Sequence, residues 1–392
     1  MTTGTPTMDS PAPGSATEPA QLGTAALARA PEELELHPME GMAKWLGRLL
    51  HPIAFRMVSM VEQPTKTMSG PLSPVKGYFR RDRHRHPEVD AQSYRLKVTG
   101  VANPREFTLE DLKALPWEHR VLVMECAGNG NHLMGSAGLI GQAKWSGPSL
   151  KAVLDACGGP GPATHFACHG LDPIPLIRRG YHYGLSLDEY TRSRALLALE
   201  MNGEPLPRPR GFPVRLVVPG IYSMSHVKWL GHIEGKTKAH DGIHNRFVFV
   251  NKRRNAQGKW VKEQARWIGL KSMVTRCIRD GNDWTLTGWA WGGGKEIDSI
   301  KVSVDGGKSW DDADVTAPGE HFGEPDGIVP EDLEHAWTVW TYRWRAPSAG
   351  RYVIASRAYS TDGEAQRLEE DPEVKGHFNQ TRVKWRRVDV PA

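Results

Sequence analysis

Cys126 stands in the segment Met124-Glu-Cys-Ala-Gly-Asn-Gly-Asn131. The apolar run Val121 to Met124 reads as a strand, so the thiol lies at a strand end and opens a glycine-rich turn. Glycine adds no side chain, and a thiolate so placed can be approached by a metal or a substrate. A buried, inert cysteine fits the same spacing, because free cysteine is among the most buried residue types. Three histidines, His232, His240 and His244, are weaker candidates: Gly242 separates the last two and no fourth ligand is suitably spaced for a metal. Arg178-Arg179 and Lys252-Arg-Arg254 are charge runs that suit a solvated face or the docking of an acidic electron-transfer partner. Gly292-Gly-Gly294 lacks the strand-to-helix context of a phosphate loop and reads as a turn.

The elements around Cys126 are short. Tyr94 to Val98 alternates as a strand ending at Gly100. Thr108 and Asp111 form a capping-box start for a helix through Leu112 that Pro116 stops. A further helix starts near Ser149, and Ser186 with Glu189 repeats the capping pattern. Val214-Arg-Leu-Val-Val218 reads as a strand buried on both faces except at Arg215. After about residue 270 the texture changes to alternating strands: Ile300, Val302 and Val304, the turn Asp305-Gly-Gly307, then Trp340, Tyr342 and Trp344, then Tyr352 to Tyr359. That spacing predicts a β-sandwich. The chain divides into residues 1–75, a flexible tail low in complexity to about residue 35 followed by a short amphipathic helix over Leu46 to Met60; 76–267, a mixed α/β domain; and 268–392, the sandwich.

With 392 residues, 39% hydrophobic and 24% charged, the chain is long enough for two to three domains with ordinary cores. A net charge of +5 is too mild for a nucleic-acid footprint. Four cysteines without a Cys-x-x-Cys pair exclude a disulfide framework, a zinc ribbon and covalent c-type haem. No run approaches a membrane span, and the first 30 residues carry no basic and apolar leader. The cytoplasm is therefore the expected location, with the periplasm as the outcome if the start lies elsewhere or a partner carries the signal.

The Cys-Ala-Gly-Asn-Gly segment, Glu200-Met-Asn-Gly-Glu-Pro-Leu-Pro207, Arg210-Gly-Phe-Pro-Val-Arg215, Val218-Pro-Gly220 and Val227-Lys-Trp-Leu230 together resemble the sulfite oxidase family of molybdopterin enzymes. Gly288-Trp-Ala-Trp291 and Val304-Asp-Gly-Gly-Lys-Ser-Trp310 look like that family's immunoglobulin-like dimerisation domain. The fold implied is α+β, a molybdopterin-binding domain followed by an immunoglobulin-like β-sandwich. Gly138-Leu-Ile-Gly141 and the lack of a haem module are most similar to the bacterial sulfite and sulfane dehydrogenase branch.

The resemblance implies a molybdenum–molybdopterin cofactor with Cys126 as the metal's thiolate ligand, a soft donor suited to a redox-cycling metal. It implies Arg210, Arg215 and Lys228 at the phosphate and pterin end, with Asn129 and His226 nearby. Gly77-Tyr-Phe-Arg-Arg-Asp-Arg-His84 matches the region where the family places an anion-binding arginine, and counting back from Tyr94 selects Arg81 as the catalytic partner of Cys126. Two positions depart from the family: Gly130 and Asn131 stand where sulfite oxidases carry arginines, and the active-site tyrosine would fall at Phe247 to Phe249, where there is no phenol.

The expected activity is oxygen-atom transfer on a small sulfur oxyanion, foremost sulfite to sulfate. Without a haem or flavin motif, electrons would pass to an external acceptor such as cytochrome c, and the sandwich implies a homodimer. The alternatives are a reductase of a sulfoxide or other oxyanion on the same cofactor, a catalytically silent molybdopterin-binding protein, and an interaction module on an inert α/β domain.

Overall fold

The computed structural model describes residues 32–38, 59–64, 68, 70–82, 85–130, 137–172, 180–280, 282–322 and 328–391. Two sheets organise the N-terminal half. One has five strands in the order Arg105–Phe107, Leu96–Thr99, Leu230–Lys236, His165–Gly170, His182–Ser186. Its central strand Leu230–Lys236 runs parallel to Leu96–Thr99 and antiparallel to His165–Gly170. The other has four, in the order Glu204–Pro205, Glu200–Met201, Ile140–Pro148, Trp117–Glu125.

The predicted caps are present. Thr108 and Asp111 close a capping box on the helix Leu109–Lys113, Ser186 and Glu189 close another on Leu187–Arg192, and Ser149 caps Leu150–Asp155. Helices of five or six residues cannot hold themselves in water. Burial of Leu112, and of Leu150, Val153 and Leu154, docks two of them on the core.

The strand Trp117–Glu125 is longer than the apolar run predicts and is buried from Arg120 onward. Period-two alternation then sorts its residues. Leu122, Met124 and Cys126 join a cluster with Tyr78, Phe79 and Trp145, whereas Val123 joins the larger core that also holds Trp289, Trp291 and Trp337. Cys126 therefore emerges on the Met124 face, and Glu125 is left on the opposite one.

The expected sandwich is observed after residue 270. A sheet of Lys271–Asp280, Asp283–Trp291, Thr338–Trp344 and Asp314–Thr316 faces one of His37–Pro38, Arg386–Val390, Gly350–Ser360, Ile297–Ser303 and Asp311–Asp312. Leu286, Ile300, Val302, Trp340 and Ile354 fill the space between them.

Two expectations need correction. Residues 32–38, read as part of the flexible tail and its continuation, are an edge of the sandwich: Leu34 N donates to Cys277 O at 2.9 Å and His37 pairs with Arg387. Low complexity ends before residue 32, and the open sheet edge supplies the backbone partners that order the segment. The helix expected over Leu46 to Met60 falls mostly outside the described residues, but Ser59–Val61 is a strand paired with Arg80–Asp82. The backbone edge of Arg80–Asp82 takes up Ser59–Val61, whose form is set by that pairing.

Candidate active site

The turn after Cys126 is fixed on both flanks. Cys126 N donates to Leu139 O at 2.9 Å, and Asn129 N donates to Cys126 O at 2.8 Å. The Asn129 side chain ties the loop together, donating to Glu125 Oε1 at 3.0 Å and accepting from Leu139 N at 3.0 Å. Gly130 takes a φ of +71°, and a Cβ there would sit 2.6 Å from Lys384, whose ammonium donates to Gly130 O at 2.7 Å. Asn131 lies outside the described residues.

Behind the loop, Glu125 is fully buried and fully partnered. Its carboxylate accepts from Lys271 Nζ at 2.7 Å and Trp291 Nε1 at 2.9 Å as well as from Asn129. Lys271 also donates to the Tyr222 hydroxyl at 2.9 Å, which donates to Asn379 Oδ1 at 2.5 Å. Burial presses the Lys271 ammonium toward neutrality, but Glu125 and Tyr222 outweigh it and its pKa is raised.

In front of the loop lies a cleft lined by Arg81, Asp82, Cys126, Ala127, Asp172, Tyr181, Ser223, Met224, His226, Lys228, Trp229 and Phe249. Arg81 Nη1 stands 3.6 Å from Cys126 Sγ. A second cavity shares Arg81, Ser223, His226 and Lys228 and extends to Tyr78, Met124, Arg210 and Arg215. Asp82, 4% exposed, binds two of its cations, Lys228 and Arg80, the latter at 2.8 Å, and also His86 at 2.9 Å. Burial raises the Asp82 pKa, but Lys228 and His86 reverse the sign and keep it ionised. Burial lowers Lys228 to about 8 against the pull of Asp82.

Arg210 and Arg215 have different surroundings. Arg210 donates to the carbonyls of Phe79, Tyr78 and Val75 at 2.6 to 3.0 Å, so it fixes the chain leading to Arg81. Arg215 donates to Arg210 O at 3.2 Å and lies 4.7 Å from the Trp145 ring, and its buried Nε has no partner among the described residues. Burial lowers it to about 10, which still leaves it protonated at neutral pH. His226 lies on the wall with both ring nitrogens engaged by the backbone of Val218 and Ile221. Burial, then Arg215, lowers it to about 3, so the ring is neutral.

The matching family models are the oxidoreductase molybdopterin binding domain, over residues 83–244, and the Mo-co oxidoreductase dimerisation domain, over residues 271–390. Human mitochondrial sulfite oxidase is 32% identical over 306 residues, 71% of this chain and 54% of that protein. The chain belongs to the sulfite oxidase family of molybdopterin oxidoreductases. The Arabidopsis thaliana sulfite oxidase is 29% identical over 65% of this chain and 73% of its own length. The chain spans little more than half the length of the mouse and human enzymes it matches, 55% and 54%. The sulfane dehydrogenase SoxCD from Paracoccus pantotrophus shares the fold, with a TM-score of 0.71 at 23% identity over 85% of this chain and 87% of that one.

The residues present fit the molybdopterin cofactor that goes with this family. A thiol opens onto the cleft, Arg215 on the wall of the adjoining cavity keeps a buried donor unpartnered among the described residues, and over the two cavities together the cations Arg80, Arg81, Arg210, Arg215 and Lys228 outnumber the carboxylates Asp82 and Asp172. Of the residues the sequence singles out, Cys126, Arg81, His226, Lys228, Arg210 and Arg215 come together on the two cavities, whereas Asn129 is drawn into the loop behind Cys126. From the Phe247 to Phe249 stretch, Phe249 lies on the wall of the cleft. A phenol is present there, that of Tyr181, donating to Met224 O at 2.6 Å. Neither it nor Asp172 carried a motif, and Asp82 stands inside the Gly77 to His84 segment without a signal of its own. Tyr181 reaches the cleft because Gly180 lets the chain cross Gly170, whose carbonyl a Cβ would meet at 2.0 Å. Arg178 and Arg179 lie outside the described residues. His169, His182, His232, His240 and His244 stack in the five-stranded sheet and its flank, yet no group of three or more potential ligands among the described residues could hold a metal.

Proposed function

We propose that this protein oxidises a small sulfur oxyanion, foremost sulfite to sulfate, and passes the electrons to an external cytochrome c-type acceptor, working as a homodimer through its C-terminal sandwich. The observation that carries this reading is the contact of Arg81 with the Cys126 thiol at 3.6 Å, where the cleft meets a cavity lined by Arg80, Arg210, Arg215 and Lys228. An anion drawn into that cleft by its charge comes to rest beside the thiol. Cys126 is the residue that would ligate molybdenum, and Arg215 and Lys228 would hold the cofactor's anionic end, with Arg210 and Asn129 positioning the two chain segments that carry these groups. The bound cofactor supplies two-electron oxygen-atom transfer. The chain orients the oxyanion through Arg81, whose guanidinium offers two parallel donors. Asp82 keeps Lys228 protonated and fixes its ammonium beside the cleft, so that the positive field is set before the substrate enters.

A second reading concerns the substrate. Met224, Trp229, Phe249 and Tyr181 give the wall an apolar character, which suits a sulfur compound with an extended substituent better than bare sulfite. The structurally similar sulfane dehydrogenase is, by its name, an enzyme of sulfane sulfur.

The test is molybdenum analysis of the purified protein beside Cys126→Ser, followed by sulfite-dependent reduction of ferricytochrome c. Near-stoichiometric metal, with turnover abolished by the substitution, is the expected result. Metal without turnover on sulfite would move the substrate to the second reading, and protein without metal would sink both.

A further inference from the structure

Residues Trp260–Gln264, Val250–Arg254 and Val374–Lys375 form a three-stranded antiparallel sheet beside the cleft. Its register places Lys252 directly opposite Lys262 on one side and Lys375 on the other. Directly opposed residues of antiparallel strands share a face, so three ammonium groups stand in one row across the sheet. All three are exposed, and among the described residues none of them has an ion pair. Like charges in opposition destabilise a sheet, so folding gives no reason for the row.

The same face carries aromatic rings topped by cations. Trp260 lies under Arg254 at 5.0 Å and Lys375 at 4.3 Å. Phe247, 60% exposed, lies under Lys262 at 4.4 Å and Arg246 at 5.2 Å. The carboxylates Glu263 and Asp371 are bound to Arg253, which alternation sets on the opposite face, and Glu373 pairs with Arg254. Two residues from Phe247, Phe249 lines the cleft that holds Cys126.

We propose that this face docks an acidic electron-acceptor protein. The proposal rests on the oxidase reading given above and adds the place where the electrons leave. A cationic face that carries the exposed Phe247 and the half-buried Trp260 among its lysines matches a partner with a carboxylate rim around an apolar patch. A second copy of this chain would oppose lysine to lysine, which selects against self-association through this face. Per turnover, one sulfite and one water give sulfate and two protons, and two ferric haem proteins take one electron each.

The holoenzyme is assayed with ferricytochrome c and with its succinylated form, in which lysines become carboxylates on the same redox core. Expected at low ionic strength is a KM for the succinylated form about tenfold lower or more, a gap that closes as salt is added. The double variant Lys252→Glu/Lys262→Glu should erase or invert that gap while leaving turnover with a small neutral quinone unchanged. Should it fold poorly, Lys252→Gln/Lys262→Gln serves instead and should erase the gap. Calorimetric titration with succinylated cytochrome c reads the surface without turnover, so a protein with no activity on any sulfur oxyanion tests docking separately. The proposal is overturned if the variants bind and reduce both cytochromes as the wild type does. It is overturned equally if duplex DNA or anionic phospholipid vesicles bind this face more tightly than the acidic cytochrome.

Discussion

Arg81 and Cys126 meet across 45 residues of sequence, and each arrived there by a different kind of legibility. Cys126 is announced by its own neighbours, because a strand end followed by glycines is a local signal. Arg81 has two arginine neighbours in sequence and is set apart from them only by family resemblance. Alternation along Arg80–Asp82 then points Arg81 to the thiol while Arg80 binds Asp82. Asp82, Asp172 and Tyr181 carry no local signal, since their roles come from what long-range pairing brings beside them. Arg81→Gln tests the assignment most directly. The substitution keeps a polar side chain of similar reach and removes the charge, so kcat/KM for the sulfur oxyanion should fall about 10²-fold with molybdenum content unchanged. A loss of metal together with activity would mean that Arg81 serves the cofactor rather than the substrate.

At the scale of elements, the capping boxes at Thr108 and Ser186 were legible because such a box is a four-residue pattern that needs no tertiary partner, and Ser149 is a simple cap of the same local kind. The edge strands were not, since His37–Pro38 and Ser59–Val61 are too short for an alternating pattern and take their form from the neighbour they pair with. The stacked histidines are a property of elements as well. His169 and His182 oppose each other on adjacent strands, and His232 and His240 close around His169. Burial, then the neighbouring rings, lowers His169 to about 4, and burial, then His182, lowers His240 to about 4, from an ordinary 6.5. The unfolded chain thus binds more protons than the folded one between these values, so stability rises with pH across the window. The contribution is complete above pH 6.5 and is lost as pH falls toward 4. Urea unfolding midpoints should decline through that interval, and His169→Gln should shallow the decline. A midpoint constant across it would show that the rings titrate alike in both states.

For the molecule as a whole, the two halves are joined at the point where the chemistry is placed. Glu125 leaves the strand on the face away from the cleft and meets Lys271, the first residue of the sandwich's first strand, while Asn379 N holds Ala127 O at 2.8 Å and Lys384 holds Gly130. Arg120 reaches Asp332 at 2.7 Å, and Val123 N donates to His335 O at 2.9 Å, so the whole cysteine strand leans on the C-terminal half. Composition and periodicity could show two kinds of texture but not this junction, because a buried Lys–Glu pair is written in residues that usually mark a surface. Lys271→Met leaves the Glu125 carboxylate buried without its counter-charge, and a pair broken in this way costs about 3 to 5 kcal/mol. Guanidinium unfolding followed by tryptophan emission should show that loss, since the Trp291 indole donates to the same carboxylate. Molybdenum content should fall as well, because the loop that presents Cys126 is anchored through Asn129 to Glu125. The double variant Glu125→Gln/Lys271→Met removes both charges and should recover much of the stability. If Lys271→Met instead stays within about 0.5 kcal/mol of wild type, the size of an ordinary surface substitution, the ion pair does not couple the halves and the anchoring must come from the other ties, those of Asn379, Lys384, Asp332 and His335.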